Sequence, residues 1–236
     1  MKVLRFSDPE SLIAAAADHL ADGLDVALSE RGRASLMLSG GSSPKPVYER
    51  LAGRPRAWDG VGISLVDERW VAPGEAGSNA DFIRRCFSGS PAERAHFVPL
   101  YNGHARAAEG IEAAEQALAS LAQPFDICVM GMGLDAHTAS WFPNSRGLSA
   151  ALDPDVDATL CAIDATGSDV AGVHTDRITL TYSAIAAARD VVLLLTSPKK
   201  WHVFETALTQ DIMDAPVASL ARLGDRLTVL ALENGS

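Results

Sequence analysis

Short apolar segments alternate with helical patterns along most of this chain, and that alternation limits the folds open to it. Four apolar runs, at 34–38, 61–66, 125–130 and 191–195, have the length and composition of buried strands. The clearest helical pattern, at 10–30, repeats leucine or alanine at every fourth residue and keeps its aspartates off that stripe. This alternation predicts an α/β fold, here a Rossmann-like, mainly parallel sheet with helices on both faces.

The length and the even composition of the chain predict a single domain over residues 1–236. A chain of 236 residues is long enough to bury a large core and still lies within the size of one domain. No internal repeat, low-complexity tract or linker interrupts it. Shorter strands are predicted at 97–100, 160–163, 177–180 and 227–230, and further helices at about 47–51, 80–87, 105–121, 183–188, 201–208 and 218–223.

The charge balance argues against a nucleic-acid partner. The formal net charge is −10, from 20 Lys and Arg against 30 Asp and Glu, whereas a nucleic-acid surface would need a basic patch. An anionic small molecule would therefore need a local cluster of positive charge within an unfavourable overall field.

Cysteine usage and the N-terminus predict a cytoplasmic protein without a membrane partner. Cys86, Cys128 and Cys161 are far apart and form no C-x-x-C pair, which favours a reducing compartment over a disulfide framework or a zinc site. The first ten residues contain no apolar signal segment, and no stretch approaches the length of a transmembrane helix.

The four apolar strands share one feature of position: each releases a polar loop at its C-terminal end. Ligands of open α/β sheets bind outside the carboxyl ends of the strands. We therefore expect the loops that begin near 39, 66, 131 and 196 to converge on one crevice.

The first of these loops, 39–46, carries Gly40, Gly41, Ser42 and Ser43 and leads into a helix. Backbone N–H groups of such a turn, together with the helix N-terminus, can hold a phosphate. A tight strand-to-helix turn with solvent-facing serines explains the same residues about equally well. The 39–46 loop is not a Walker A loop, because the sequence lacks the G-x-x-x-x-G-K-[ST] motif.

The other loops supply cations. Arg69 ends the triplet 67–69, and Lys199 and Lys200 follow the last of the four strands. Each group alone is more typical of a solvated surface. In a chain of net charge −10, however, they are the cations available at the predicted crevice for an anionic substrate, with Lys45 a weaker candidate.

Asp135 and His137 allow three functional interpretations beside that of a structural histidine. A metal site is disfavoured because no other histidine falls at a recognisable ligand spacing. The segment Gly131-x-Gly133-x-x-Ala136 formally matches a dinucleotide fingerprint, but no strand ends in an acid about 20 residues further on. The third is a general base, an imidazole oriented by a carboxylate. No G-x-S-x-G nucleophile motif occurs, and a base that activates water directly would suit a reactive carbonyl such as a lactone.

Taken together, the loops resemble a known family. The segments that carry the resemblance are SGGSSP at 39–44, VDERW at 66–70, GSN at 77–79, GMGLDAHTASWFP at 131–143, RITLT at 177–181 and SPKKWHVFETAL at 197–208. In this order they resemble the 6-phosphogluconolactonases, within the wider group that includes glucosamine-6-phosphate deaminase and the ribose-5-phosphate isomerases.

The resemblance implies hydrolysis of 6-phospho-D-glucono-1,5-lactone in the oxidative pentose phosphate pathway, without metal or cofactor. It implies that His137 deprotonates the attacking water beside its neighbour Asp135, and that Arg69 stabilises the charged carboxyl group or the developing oxyanion. The resemblance further implies that Gly41, Ser42 and Ser43 hold the substrate phosphate together with Lys199, which is preferred to Lys200. It implies that Arg177 helps to bind the phosphate and that Asn79 is a residue of the substrate pocket.

Two positions depart from the family pattern, and two other functions compete. Ala136 stands where the family has glycine between the Asp and the His, which adds strain if φ is positive there; Thr196 replaces another usual glycine. The nearest rival function is that of an amino-sugar phosphate isomerase or deaminase, but the sequence at 138–141 differs from the pattern of those enzymes. The other rival is a sugar-phosphate sensor that binds without turnover.

We expect the protein to be a monomer or weak homodimer. We also expect most of the tryptophans Trp70, Trp141 and Trp201 to pack in the core.

Overall fold

The structure is a computed structural model that describes residues 1–233. Its strands are β1 (Lys2–Phe6), β2 (Ala34–Leu38), β3 (Val61–Leu65), β4 (Asp67–Arg69), β5 (His96–Phe97), β6 (Ile127–Met130), β7 (Leu160–Asp164), β8 (Asp176–Leu180), β9 (Asp190–Leu195) and β10 (Leu227–Leu232). Its α-helices are α1 (Pro9–Arg31), α2 (Lys45–Ala52), α3 (Asn79–Phe87), α4 (Ala107–Leu118), α5 (Leu148–Leu152), α6 (Tyr182–Ala187) and α7 (Pro198–Ala207). A 3₁₀ segment, Pro216–Arg226, precedes β10.

The central sheet has seven strands in the order β1-β10-β9-β6-β2-β3-β5, and all of its strand pairs are parallel. The four strands that the apolar runs predict, β9, β6, β2 and β3, are immediate neighbours in that order. Since parallel neighbours end at the same edge, their four following loops meet, as the sequence predicts. The predicted α/β fold with its parallel sheet is confirmed.

The longest helix, α1, shows why the sequence pattern predicts these elements well. Asp8 caps its N-terminus by accepting a hydrogen bond from Ser11 N at 2.9 Å, and Pro9 stands at its first position. Gly32, with φ of 67°, ends it in the left-handed conformation. Its apolar stripe is buried, including Leu20 and Leu24, and each such leucine stabilises the fold by about 1.5–3 kcal/mol.

A second, antiparallel sheet of three strands, in the order β4-β8-β7, adjoins the central one. Val66 alone separates β3 from β4; its N–H donates to Leu38 O in the central sheet and its carbonyl accepts from Leu180 N in the second. The pairing sets Arg69 opposite Arg177. The sequence predicted β8 and β7 as segments but neither β4 nor this pairing, and β1 was also missed.

The apolar side chains of both sheets join one continuous core, which includes Trp58 and Trp141. Among residues 1–233, no helix has both the length and the apolar character that crossing a membrane requires.

Candidate active site

A crevice of about 310 Å³ opens at the carboxyl edge of the central sheet. It is lined by the loops that follow β2 and β6, by β4 and β8, by the connection between β7 and β8, and by the first residues of α3 and α7. The predicted site residues that line it are Gly40, Gly41, Ser42, Ser43, Arg69, Asn79, His137 and Arg177. Asp135 lies behind His137 and outside the lining, and Lys199 is exposed and also outside it.

His137 and Asp135 form a close pair at the crevice wall. The distance from His137 Nδ1 to Asp135 Oδ1 is 2.6 Å, and each side chain is about a quarter exposed. Burial by itself would raise the pKa of Asp135, but the hydrogen bond and the charge of His137 lower it below its ordinary value. Asp135 is therefore a carboxylate near neutral pH. It holds the proton on Nδ1, which leaves the lone pair of the imidazole at Nε2.

The loop that carries His137 is tightly constrained. A Cβ on Gly133 would lie 2.3 Å from the His137 ring, so only glycine fits there. Ala136 has φ of 64° and Ala139 has φ of 48°, a region that costs a residue with a Cβ roughly 1–2 kcal/mol. Thus position 136, where the family pattern has glycine, does adopt positive φ. A hydrogen bond of 3.0 Å from Val217 N to Ala136 O helps to hold this conformation.

Glu68 organises the wall that carries Arg69. It is 1% exposed, and its carboxylate accepts hydrogen bonds of 2.7 to 2.8 Å from the backbone N–H groups of Arg69, Asn79 and Ala80. Burial raises the pKa of Glu68 to about 6, although these N–H groups act in the opposite direction. The alternative in which the triplet 67–69 is a solvated surface is wrong for its two acids, because Asp67 is only 6% exposed.

Arg69 itself is half-buried and donates from Nη1 to the carbonyl of Gly77. Its Nε is buried and has no hydrogen-bond partner within residues 1–233. A buried donor without a partner is costly unless a ligand or water satisfies it. Because Arg69 also lines the crevice, its guanidinium brings positive charge to any group that enters.

Asn79 is a buried link between two loops. Its Nδ2 donates to Asp67 O at 2.9 Å, and the Asp67 carboxylate accepts in turn from Ser140 Oγ at 2.6 Å. A Cβ on Gly40 would lie only 1.9 Å from Asn79 Oδ1. Gly40 is therefore required for the close approach of the 39–46 loop to this network.

The structure brings Lys200, and not Lys199, into the crevice. Lys200 Nζ donates to Ser43 Oγ at 3.1 Å, and burial lowers the pKa of this ammonium. Helix phase explains the difference from the sequence-based preference: Lys200 precedes the buried Phe204 by four residues and shares its face of α7. That spacing is a signal that the sequence contained and that the comparison of motifs overlooked.

Arg177 lies in the crevice lining but is only 3% exposed. Its Nε donates to His174 O, and its Nη2 donates to Ala171 O at 2.6 Å. Its guanidinium also lies 5.5 Å from the centre of the Phe142 ring, which in turn lies 4.5 Å from the His137 ring.

Several lining residues were not predicted from the sequence. Asp67, Phe142, Val170 and Ala171 belong to this set; the first two lie within segments that were recognised, whereas no signal marked the other two. The tryptophans at 70, 141 and 201 are all absent from the lining of the described crevice. Residues 1–233 also contain no cluster of three or more metal-ligating side chains.

The fold and the site together define a class. An α/β sheet carries, at its carboxyl edge, a carboxylate-oriented imidazole that faces two guanidinium groups and an ammonium group. This is the arrangement of an enzyme that acts on a small anionic substrate.

Comparison with known proteins identifies the family. Residues 7–229 match the family described as glucosamine-6-phosphate isomerases/6-phosphogluconolactonase, and the chain belongs to that family. It is 38% identical over 207 residues to a 6-phosphogluconolactonase of Pseudomonas aeruginosa, covering 87% of this chain and 85% of that protein. It is 35% identical over 218 residues to a 6-phosphogluconolactonase of Rhizobium meliloti, covering 92% of each.

A solved structure supports the same assignment. The crystal structure of a 6-phosphogluconolactonase from Shewanella baltica matches with a TM-score of 0.91 and 32% sequence identity, covering 99% of this chain and 97% of that one. The likeness therefore extends over nearly the whole chain, including all the loops that form the crevice.

Proposed function

We propose that this chain is a 6-phosphogluconolactonase, a lactone hydrolase that converts 6-phospho-D-glucono-1,5-lactone to 6-phospho-D-gluconate. The relatives that match nearly the whole chain carry that name, and the crevice contains the groups that this reaction needs. The reaction would serve the pentose phosphate pathway. The observation that carries the catalytic part of the proposal is the 2.6 Å pair of Asp135 and His137 at the crevice wall.

In the proposed reaction, His137 acts as a general base through Nε2. No protein atom within residues 1–233 shares a hydrogen bond with Nε2, so its lone pair is available to a water molecule. The imidazole takes a proton from water while the water oxygen bonds to C1 of the lactone. The bond between C1 and the ring oxygen then breaks, and the ring oxygen takes the proton back from the imidazolium.

Arg69 would stabilise the negative charge that develops on the oxygen of C1. Its place in the crevice lining supports this role, since a donor that finds its partner only in the transition state contributes to rate. The carboxylate of Asp135 would stabilise the imidazolium that forms on His137.

The substrate phosphate would bind between the 39–46 loop and Lys200. Ser43 Oγ and Lys200 Nζ lie 3.1 Å apart, and the N-terminus of α2 follows this loop. Apart from its chain neighbours, no atom of residues 1–233 lies within 4 Å of the missing Cβ of Gly41, whose φ is 100°, so the turn leaves room for a ligand. Lys199 is not part of this proposed site.

The deciding experiment generates the lactone in situ from glucose 6-phosphate and follows its loss with and without the protein. Acceleration over spontaneous hydrolysis is expected. His137→Ala should lower kcat by roughly 10²- to 10⁴-fold with little change in KM. His202→Ala is the matched control, since His202 is exposed on α7. Near-full activity of the His137 variant would refute the assignment of the base.

Two other outcomes would redirect the proposal. Release of ammonia from glucosamine 6-phosphate would favour the isomerase or deaminase, which the sequence at 138–141 disfavours. Tight binding of 6-phosphogluconate without any turnover of the lactone would favour a sensor. The prediction of a monomer or weak homodimer can be checked on the same preparation by size-exclusion chromatography with light scattering.

A further inference from the structure

Arg177 directs two of its five N–H donors toward one segment of the chain. Both carbonyls that it contacts, those of Ala171 and His174, belong to the connection between β7 and β8. We call residues 165–175 the wall loop, because Val170 and Ala171 within it line the crevice. Two hydrogen bonds from a buried guanidinium thus fix the part of the loop that faces the substrate.

Ala165 and Ala171 anchor the wall loop in the core, but the residues on either side of Ala171 have little support from burial. Val170 is 54% exposed and Val173 is 90% exposed, although both are apolar. Gly172, at φ of 70°, lies between them. A hydrogen bond of 2.9 Å from Ala165 N to Thr175 O closes the base of the loop. A segment with few buried apolar contacts opens at low free energy, so the contacts that Arg177 makes are the main support of residues 170–173.

A second arginine supports a second loop in the same way. Arg69 lies opposite Arg177 in the β4–β8 pairing and donates to the carbonyl of Gly77. A Cβ on Gly77 would lie 2.8 Å from the His174 ring, so the Gly77 loop and the wall loop touch each other there. Two cross-strand arginines therefore hold two loops that contact each other.

The charge state of Arg177 suits this task. Burial lowers its pKa to about 10, partly opposed by Asp67, so the guanidinium still carries its full set of donors near neutral pH. Hydrogen bonds from a charged donor are stronger than neutral ones. The contact of Arg177 with Phe142, against which His137 packs, extends the same support toward the base.

We propose that Arg177 is a positioning residue: it holds the wall loop against the crevice and does not itself bind the phosphate. The inference rests on the proposed lactonase function only for its kinetic consequence. The wall would contribute to binding of substrate and transition state alike, so its loss should act on KM more than on kcat.

The first test needs no activity. Ligand-free wild type, Arg177→Met and the control Arg94→Met are treated with thermolysin at a temperature well below unfolding, and the first cuts are mapped. Arg94 is exposed and pairs with Asp59 far from the crevice. Arg177→Met should be cut at Val170 to Val173 roughly tenfold faster or more, since tenfold corresponds to 1.4 kcal/mol and two charge-assisted bonds are lost. An unchanged rate of cutting there would overturn the proposal.

The second test is kinetic. Arg177→Met should raise KM for the lactone roughly tenfold and change kcat by less than about threefold. Arg177→Lys keeps the charge and can reach only one of the two carbonyls, so its rate of proteolysis should be intermediate. If Arg177→Met does not fold, Arg177→Lys provides the test. Cutting of Arg177→Lys at the wild-type rate would then refute the positioning role.

The two tests separate the possible failures. A raised KM with unchanged proteolysis would make Arg177 a direct ligand and overturn the proposal. If wild type shows no lactonase activity, the proposed function fails, whereas faster cutting of the wall loop in Arg177→Met would still support the structural role of Arg177.

Discussion

Gly40→Ala is the substitution whose cost the structure defines most directly. The new methyl group would lie 1.9 Å from Asn79 Oδ1 and 2.4 Å from Asn79 Cγ. Asn79 is 2% exposed and cannot swing into solvent. Because Gly40 is not at positive φ, alanine suits its backbone, and the clash with Asn79 is the main cause of the expected loss.

The magnitude follows from what Asn79 must give up. Displacing its amide by more than 1 Å breaks the hydrogen bond to Asp67 O, which costs about 1–3 kcal/mol for a buried donor left unpaired. Crowding of a packed site costs about 1–3 kcal/mol more. Replacement of glycine by alanine also stabilises the protein by about 0.4–1 kcal/mol, because it lowers the conformational entropy of the unfolded chain. The expected net destabilisation is therefore about 1–5.6 kcal/mol.

A double-mutant cycle tests this reasoning by urea unfolding. In an Asn79→Ala background the amide is gone, so Gly40→Ala should lose most of its cost, and the coupling should be about 1 kcal/mol or more. Gly53→Ala is the control, because its φ is −71° and its nearest neighbour lies at 3.8 Å; it should change stability by less than about 0.5 kcal/mol. Equal costs of Gly40→Ala in both backgrounds would refute the steric argument.

Three further predictions follow from the site. Lys200→Met should raise KM for the lactone roughly tenfold and Lys199→Met less than about twofold, because Lys200 approaches Ser43; the reverse order would contradict the proposed phosphate site. Glu68 has its pKa raised to about 6, so the folded chain holds this proton more tightly and loses about 2 kcal/mol of stability as pH rises from about 4 to about 7.5. The unfolding free energy of wild type, measured relative to that of Glu68→Gln, should therefore fall by that amount over this pH range. A difference between the two proteins that does not depend on pH would refute the raised pKa of Glu68. Asp135→Asn should lower kcat about 10²-fold or more without a matching change in KM, and wild-type kcat would show that Asp135 does not orient the base.

The sequence predicts the central sheet well because buried parallel strands appear as short apolar runs. It could not predict the second sheet. β4 consists of three polar residues, Asp67–Arg69, and becomes a strand only through pairing with a segment more than a hundred residues later. β1, an edge strand with mixed polar and apolar residues, also carries too weak a pattern for prediction.

The same limit applies to the site. Strand ends indicated the positions of His137, Arg69 and the serines, since strand ends are readable from the sequence. The burial of Glu68 depends on N–H groups at the start of α3, which tertiary folding brings to it. The choice between adjacent lysines depends on the phase of α7, whose buried residues Phe204 and Ala207 form only a short stripe.

The contact between Ser43 and Lys200 joins residues 157 positions apart in the chain. A contact across so long a loop forms late in folding, because the entropic cost of closing the loop precedes any stabilisation from the contact. Proteins with many such long-range contacts fold slowly. The crevice can therefore exist only after β2, β6 and β9 have assembled side by side. After dilution from urea, catalytic activity should return no earlier than the last refolding phase, which makes the rate of regain of activity a direct measure of complete assembly of the sheet.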